Sequence, residues 1–132
     1  MDYKKIITRA IELSGFCPAS EKAFSVGAII FDKSGKEIAT GYSRETDLVS
    51  HAEEVAISKA KTAGADIRGG AIVCSMEPCG ERLSKQKSCA ELIIEAGLAS
   101  VIYAQAEPPK FINAPKGSVK LIAGGVQVLF VS

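Results

Sequence analysis

Ala71-Ile72-Val73-Cys74-Ser75 is a short, apolar, β-branched run that leads straight into Glu77-Pro78-Cys79. After a polar and basic loop come Cys89-Ala90-Glu91-Leu92-Ile93-Ile94-Glu95-Ala96 and Gly97, then Ser100-Val101-Ile102-Tyr103-Ala104. The first run reads as a strand, the second as a helix closed by glycine, the third as another strand. Strand–helix–strand alternation implies parallel strands joined by a right-handed crossover. Upstream, Val55, Ala56 and Ala60 give a helix from residue 51 its inner face, with Ser50 as N-cap and Ala63-Gly64-Ala65 as its end. Residues 25–31 and 37–42 make a hairpin around the turn at Asp32–Lys36. Ile6, Ile7, Ala10 and Ile11 place a helix over 2–15. Downstream, a proline-bearing loop over 105–117 precedes a helix over 116–123 and a strand over 125–131. The prediction is an α/β fold in one domain, residues 1–132: a three-layer α-β-α sandwich on a mixed five-stranded sheet. Sites in such sheets lie beyond the carboxyl ends of the parallel strands, where helices begin.

With 132 residues, 47% of them hydrophobic and 23% charged, the chain can bury an ordinary core. A net charge of +1 provides no whole-molecule field for gripping nucleic acid. No apolar run has the length of a signal peptide or a membrane span, so the expected location is the cytoplasm. Four cysteines in that compartment are thiols or metal ligands rather than disulfides.

The chemistry-bearing residues sit at the two strand-to-helix corners. His51 is the sole histidine, Glu53 follows it by two positions, Cys79 ends the strand-to-loop corner, and Cys89 opens the next helix. One imidazole and two thiolates form a ligand set that Zn²⁺ accepts, and three protein ligands leave a fourth position for water. That is the layout of a catalytic zinc, one per chain. Glu53, beside the metal and not on it, would carry protons. The two helix N-termini favour thiolate over thiol. Cys17, before Pro18, would make the site a closed structural one if it were a fourth ligand; otherwise it is a partly buried thiol. Cys74, inside an apolar strand, reads as a packing residue.

His51-Ala52-Glu53, then Glu77-Pro78-Cys79, then a second cysteine opening a helix, resembles the zinc-dependent cytidine deaminase superfamily, whose signature is H-x-E…P-C-x-x-C. Val26-Gly27-Ala28 looks like the first strand of these enzymes, and Ala90–Gly97 with Val101–Ala104 looks like their third helix and fourth strand. A helix before the last strand fits the branch whose fifth strand is parallel. Here nine residues, not two, separate the cysteines. The riboflavin-pathway pyrimidine deaminases carry a similar insertion, and the chain looks most like that branch. It departs from it by one extra inserted residue and by Ala23-Phe24-Ser25 where Asn-Pro is usual.

The resemblance implies a hydrolytic deaminase of a small aminated heterocycle: a pyrimidine, purine or pterin-like base, nucleoside or nucleotide. It implies that water replaces the amine on a ring carbon, that Glu53 serves as base and then acid, and that the chain pairs as a homodimer. It also implies that backbone carbonyls of Ser75 and Glu77 receive the exocyclic amine. In the riboflavin branch the inserted loop meets a ribose phosphate, so Arg82, Lys85 and Lys87 are either a phosphate site or a solvated charged loop. Phe24 either stacks on a planar ring or packs in the core. Ser43 and Ser50 either bond a substrate or serve a turn and a cap. A zinc-stabilised binding or regulatory module on the same scaffold is the alternative, but it has no use for Glu53. Nucleic-acid editing needs a basic, aromatic-lined groove, which 6% aromatic content does not suggest.

Overall fold

A computed structural model of the chain describes residues 2–20, 24–47, 49–80, 87–105 and 117–131. Its elements run α1 (Tyr3–Ser14), β1 (Gly27–Phe31), β2 (Glu37–Tyr42), α2 (Ala52–Thr62), β3 (Ala71–Cys74), α3 (Cys89–Glu95), β4 (Ser100–Tyr103), α4 (Gly117–Ala123) and β5 (Gln127–Phe130). The sheet order is β2-β1-β3-β4-β5. β1 is antiparallel to both β2 and β3, whereas β3–β4 and β4–β5 are parallel. The mixed five-stranded sheet and the parallel last strand agree with expectation.

All five residues of β1 are buried, because helices cover both faces of the sheet. Alternation sorts its side chains. Ala28 and Ile30, with Ile72, Cys74 and Val101 of the neighbouring strands, face Ala52, Ala56, Ile57 and Ala60 of α2, Ala90 and Ile93 of α3, and Leu121 of α4. Ile29, Phe31, Val73 and Ile102 face Ile7 and Ala10 of α1. Fully burying an isoleucine of this kind contributes about 1.5–3 kcal/mol.

The stripe of Ala52, Ala56 and Ala60 lets α2 lie close to the sheet. Contact is tightest at Gly41, where a Cβ would stand 2.4 Å from the Ala52 carbonyl oxygen. That approach sets where α2 starts. The register puts Gly27, Tyr42, Cys74, Tyr103 and Phe130 at one end of the sheet. α2 and α3 both begin at that end, so both corners converge there.

Three local expectations are corrected. β1 begins at Gly27 and not at residue 25, because the Val26 N–H donates to the Ser43 hydroxyl (2.9 Å) and its carbonyl accepts from the Ser43 N–H (3.0 Å). The N-cap of α2 is His51 and not Ser50: His51 is extended, with φ −97° and ψ 153°. Its N–H donates to the Glu54 carboxylate at 3.2 Å. β5 begins at Gln127, because Gly125 is still turning, with φ +86°. Among the described residues, no helix is long and apolar enough to cross a membrane.

Candidate metal centre

His51 and Cys89 both reach the site from helix N-termini on the same face of the sheet, His51 as the N-cap of α2 and Cys89 as the first residue of α3. The Glu54 carboxylate holds the His51 backbone, and the Ser88 hydroxyl accepts from the Glu91 N–H at 3.2 Å, which caps α3 one residue before Cys89. Cys79 lies at the far side of the Pro78 corner. Its carbonyl accepts from the Ala90 N–H (3.1 Å), and its sulfur accepts from the Cys89 N–H (3.2 Å). These two bonds hold the cysteines together despite their spacing.

The His51 Nδ1 is 3.2 Å from the Cys89 sulfur and 3.6 Å from the Cys79 sulfur. All three donor atoms lie within 4.8 Å of one another. With Zn–N near 2.0 Å and Zn–S near 2.3 Å, a tetrahedral site has an N···S edge of about 3.5 Å. The donor set therefore fits a zinc ion in both chemistry and spacing. The Cys79 thiol is lowered to about 5, first by a hydrogen bond with Cys89 and further by His51. A low thiol value is what a metal-binding thiolate requires.

Glu53 is 3% exposed. Burial raises its carboxyl to about 7, the Cys79 charge adds to the rise, and the His51 charge and then a hydrogen bond with Cys89 oppose it. It stands beside the three donors without belonging to the set. Cys74 lies fully buried below, its thiol pushed up by burial and then by the Glu53 charge. It is a core residue. Cys17 is outside the donor set, and its sulfur is 3.6 Å from the Val26 carbonyl.

The remaining candidates divide. The Ser75 hydroxyl accepts from the Gly27 N–H at 3.0 Å, which ties β1 to the end of β3. The Ser43 side chain does the same for Val26. Ser50 is buried, with its hydroxyl 3.4 Å from the Asp47 carbonyl and its own carbonyl accepting from the Arg44 N–H at 2.7 Å. The Glu77 side chain turns to α4, where its carboxylate accepts from the Ser118 N–H (3.0 Å) and from the Ser118 hydroxyl. Phe24 is half-buried, and its carbonyl accepts from Arg44. The Lys87 ammonium donates to both oxygens of Glu95 on α3. Arg82 and Lys85 lie outside the described residues.

Three residues escaped the sequence reading. Glu54 could have been found as the carboxylate three positions after the cap. Ser118, 41 positions from Glu77, carries no local signal. Neither does Arg44, whose guanidinium reaches across to Pro18, Phe24 and Ser25.

Residues 1–105 match the family described as the cytidine and deoxycytidylate deaminase zinc-binding region. A diaminohydroxyphosphoribosylamino-pyrimidine deaminase of Schizosaccharomyces pombe is 35% identical over 130 residues, 97% of this chain and 32% of that protein. The diaminohydroxyphosphoribosylaminopyrimidine deaminase/5-amino-6-(5-phosphoribosylamino)uracil reductase of Thermotoga maritima superposes with a TM-score of 0.80 at 31% identity, covering 97% of this chain and 36% of that one. The Rib2 deaminase of Aspergillus oryzae gives a TM-score of 0.86 at 25% identity over 99% of this chain and 85% of that one. The chain thus spans about a third of the S. pombe and T. maritima proteins. With four-fifths of its length inside that family match and its three donor atoms gathered at one point, the chain belongs to the zinc-binding cytidine and deoxycytidylate deaminase family.

Proposed function

We propose that this chain is a zinc-dependent hydrolytic deaminase of an aminated pyrimidine. The diaminohydroxyphosphoribosylaminopyrimidine in the names of its relatives is the candidate substrate. The observation that carries the reading is Glu53: a buried carboxyl, raised to about 7, beside three metal donors and not among them. A stabilising metal needs no such group, whereas a hydrolytic deaminase does.

His51, Cys79 and Cys89 are the residues that would hold the ion. Zinc bound there supplies Lewis-acid activation of water. Glu53, buried beside the donors, takes a proton from the attacking water and returns it to a ring nitrogen. It then takes the remaining proton from the hydroxyl added to the ring carbon and delivers it to the exocyclic nitrogen, which departs as ammonia as the carbonyl forms. The ring carbon exchanges an amine for an oxygen and the carboxylate is regenerated. Glu53 is itself buried, with the buried Cys74 thiol near enough to feel its charge, which keeps bulk water from levelling the carboxyl.

The test is ammonia release from diaminohydroxyphosphoribosylaminopyrimidine, with cytidine and deoxycytidylate in parallel, at one zinc per chain. Wild type is expected to release ammonia from the first. Glu53→Gln is expected to retain zinc and lose at least about a hundredfold in kcat. Equal turnover by the two proteins removes the proposal.

A further inference from the structure

Arg44 follows β2 in the connection to α2. Its side chain is only 7% exposed. Its backbone has φ +60°, the one positive φ at a non-glycine residue among those described. An arginine there is strained, and strain of this kind persists only where surrounding contacts over-determine it.

Those contacts all run to one segment. Nε donates to the Pro18 carbonyl (3.0 Å), and Nη2 donates to the same oxygen (2.8 Å) and to the Ser25 hydroxyl (2.9 Å). Nη1 donates to the Phe24 carbonyl (3.1 Å). None of these partners is a carboxylate, so among the described residues the guanidinium acts as a clamp on two backbone carbonyls and a hydroxyl. The next residues are held in the same manner: Val26 by Ser43, and Gly27 by the Ser75 hydroxyl. The Arg44 N–H meanwhile donates to the carbonyl of Ser50, the residue before His51. One residue therefore ties the approach to β1, at the donor-bearing end of the sheet, to the start of the helix that carries the imidazole.

We propose that Arg44 is a positioning residue that holds Pro18, Phe24 and Ser25 beside the donor-bearing end of the sheet as part of the substrate pocket wall, so that Phe24 determines how well the ring is bound. This rests on the deaminase reading above. Four donors in a planar fork are needed to reach these oxygens, and a lysine ammonium cannot span them.

The test compares zinc-loaded wild type, Arg44→Lys and Arg44→Ala in two assays. In hydrogen exchange, the amides of Ser25, Val26 and Gly27 are expected to lose protection in both variants, while those of α3 and β4 keep theirs. In steady-state kinetics with diaminohydroxyphosphoribosylaminopyrimidine, KM is expected to rise about tenfold or more with kcat within about threefold of wild type. Free guanidinium ion is expected to restore part of the KM of Arg44→Ala, an effect that a general loss of stability would not produce. Arg44→Lys is the arm that keeps the charge should Arg44→Ala fold poorly. Unchanged exchange at 25–27, or an unchanged KM in Arg44→Lys, overturns the proposal. Absence of wild-type turnover strikes the deaminase reading instead, and the exchange assay then decides whether Arg44 holds the segment.

Discussion

The imidazole Nδ1 of His51 lies 3.2 Å from the sulfur of Cys89, a residue 38 positions further on. Neither residue is long enough to reach the other unless α2 and α3 begin at the same end of the sheet. They do so because small residues let α2 settle on β1 and β2, and because the Cys89 N–H is drawn to the Cys79 sulfur. The metal geometry is thus a product of packing and of capping together.

Removing the metal is expected to lower the melting temperature. At a free zinc concentration a hundred times Kd, a ligand that binds only the folded chain adds about 2.7 kcal/mol. Elemental analysis should find one zinc per chain in wild type and little in His51→Ala, Cys79→Ala or Cys89→Ala. The melts of these variants should not respond to chelator. A chelator-insensitive wild type would contradict the assignment of the three donors.

Glu53 makes the metal-free protein pH-sensitive. Its folded value, about 7, is above the unfolded value of 4.5. The protonated form is therefore favoured on folding, and that stabilisation is complete below about pH 4.5 and lost as pH rises through 7. Glu53→Gln should accordingly gain stability relative to wild type between pH 4.5 and pH 8, by up to roughly 3 kcal/mol. Urea midpoints of both metal-free proteins at the two pH values measure it. Cys79 has the opposite sign: its folded value of about 5 is below 9, so its contribution is lost as pH falls from 9 to 5. Cys79→Ser should therefore lag wild type most at the alkaline end.

Gly117 begins α4 directly against the Pro78 carbonyl, where an added Cβ would lie 1.7 Å from the oxygen. No rotamer relieves such a clash, so either α4 or the Pro78-Cys79 corner must move. Gly117→Ala is expected to cost about 2–4 kcal/mol and to weaken zinc retention. Ser118→Ala, which removes a hydroxyl that bonds Glu77 and Tyr103, should cost about 1–3 kcal/mol and leave zinc in place. Denaturant melts with parallel zinc assays separate the two.

Lys87 is engaged with Glu95 on its own helix side, in an exposed ion pair. Lys87→Ala alone is expected to leave both melting temperature and KM for a phosphorylated pyrimidine close to wild type. A large rise in KM would show that the ammonium leaves Glu95 for the ligand.

Much of this protein could be read along the chain. Residues 71–104 carry a strand–helix–strand pattern in their hydrophobicity, and the alternation alone implies a parallel pair. His51, Glu53, Cys79 and Cys89 stand out because chemistry needs those residue types and each falls at a helix or strand end. Such signals are local, and local order survives in the sequence. Distant contacts leave no periodic trace. Nothing in the neighbourhood of Arg44 says that its guanidinium clasps Pro18 and Phe24, and nothing near Glu77 says that its partner is Ser118. Such pairings depend on close approaches between elements far apart in the chain: α2 lies against Gly41 of β2, and Gly117 of α4 lies against the Pro78 carbonyl, because neither glycine puts a side chain between the two backbones.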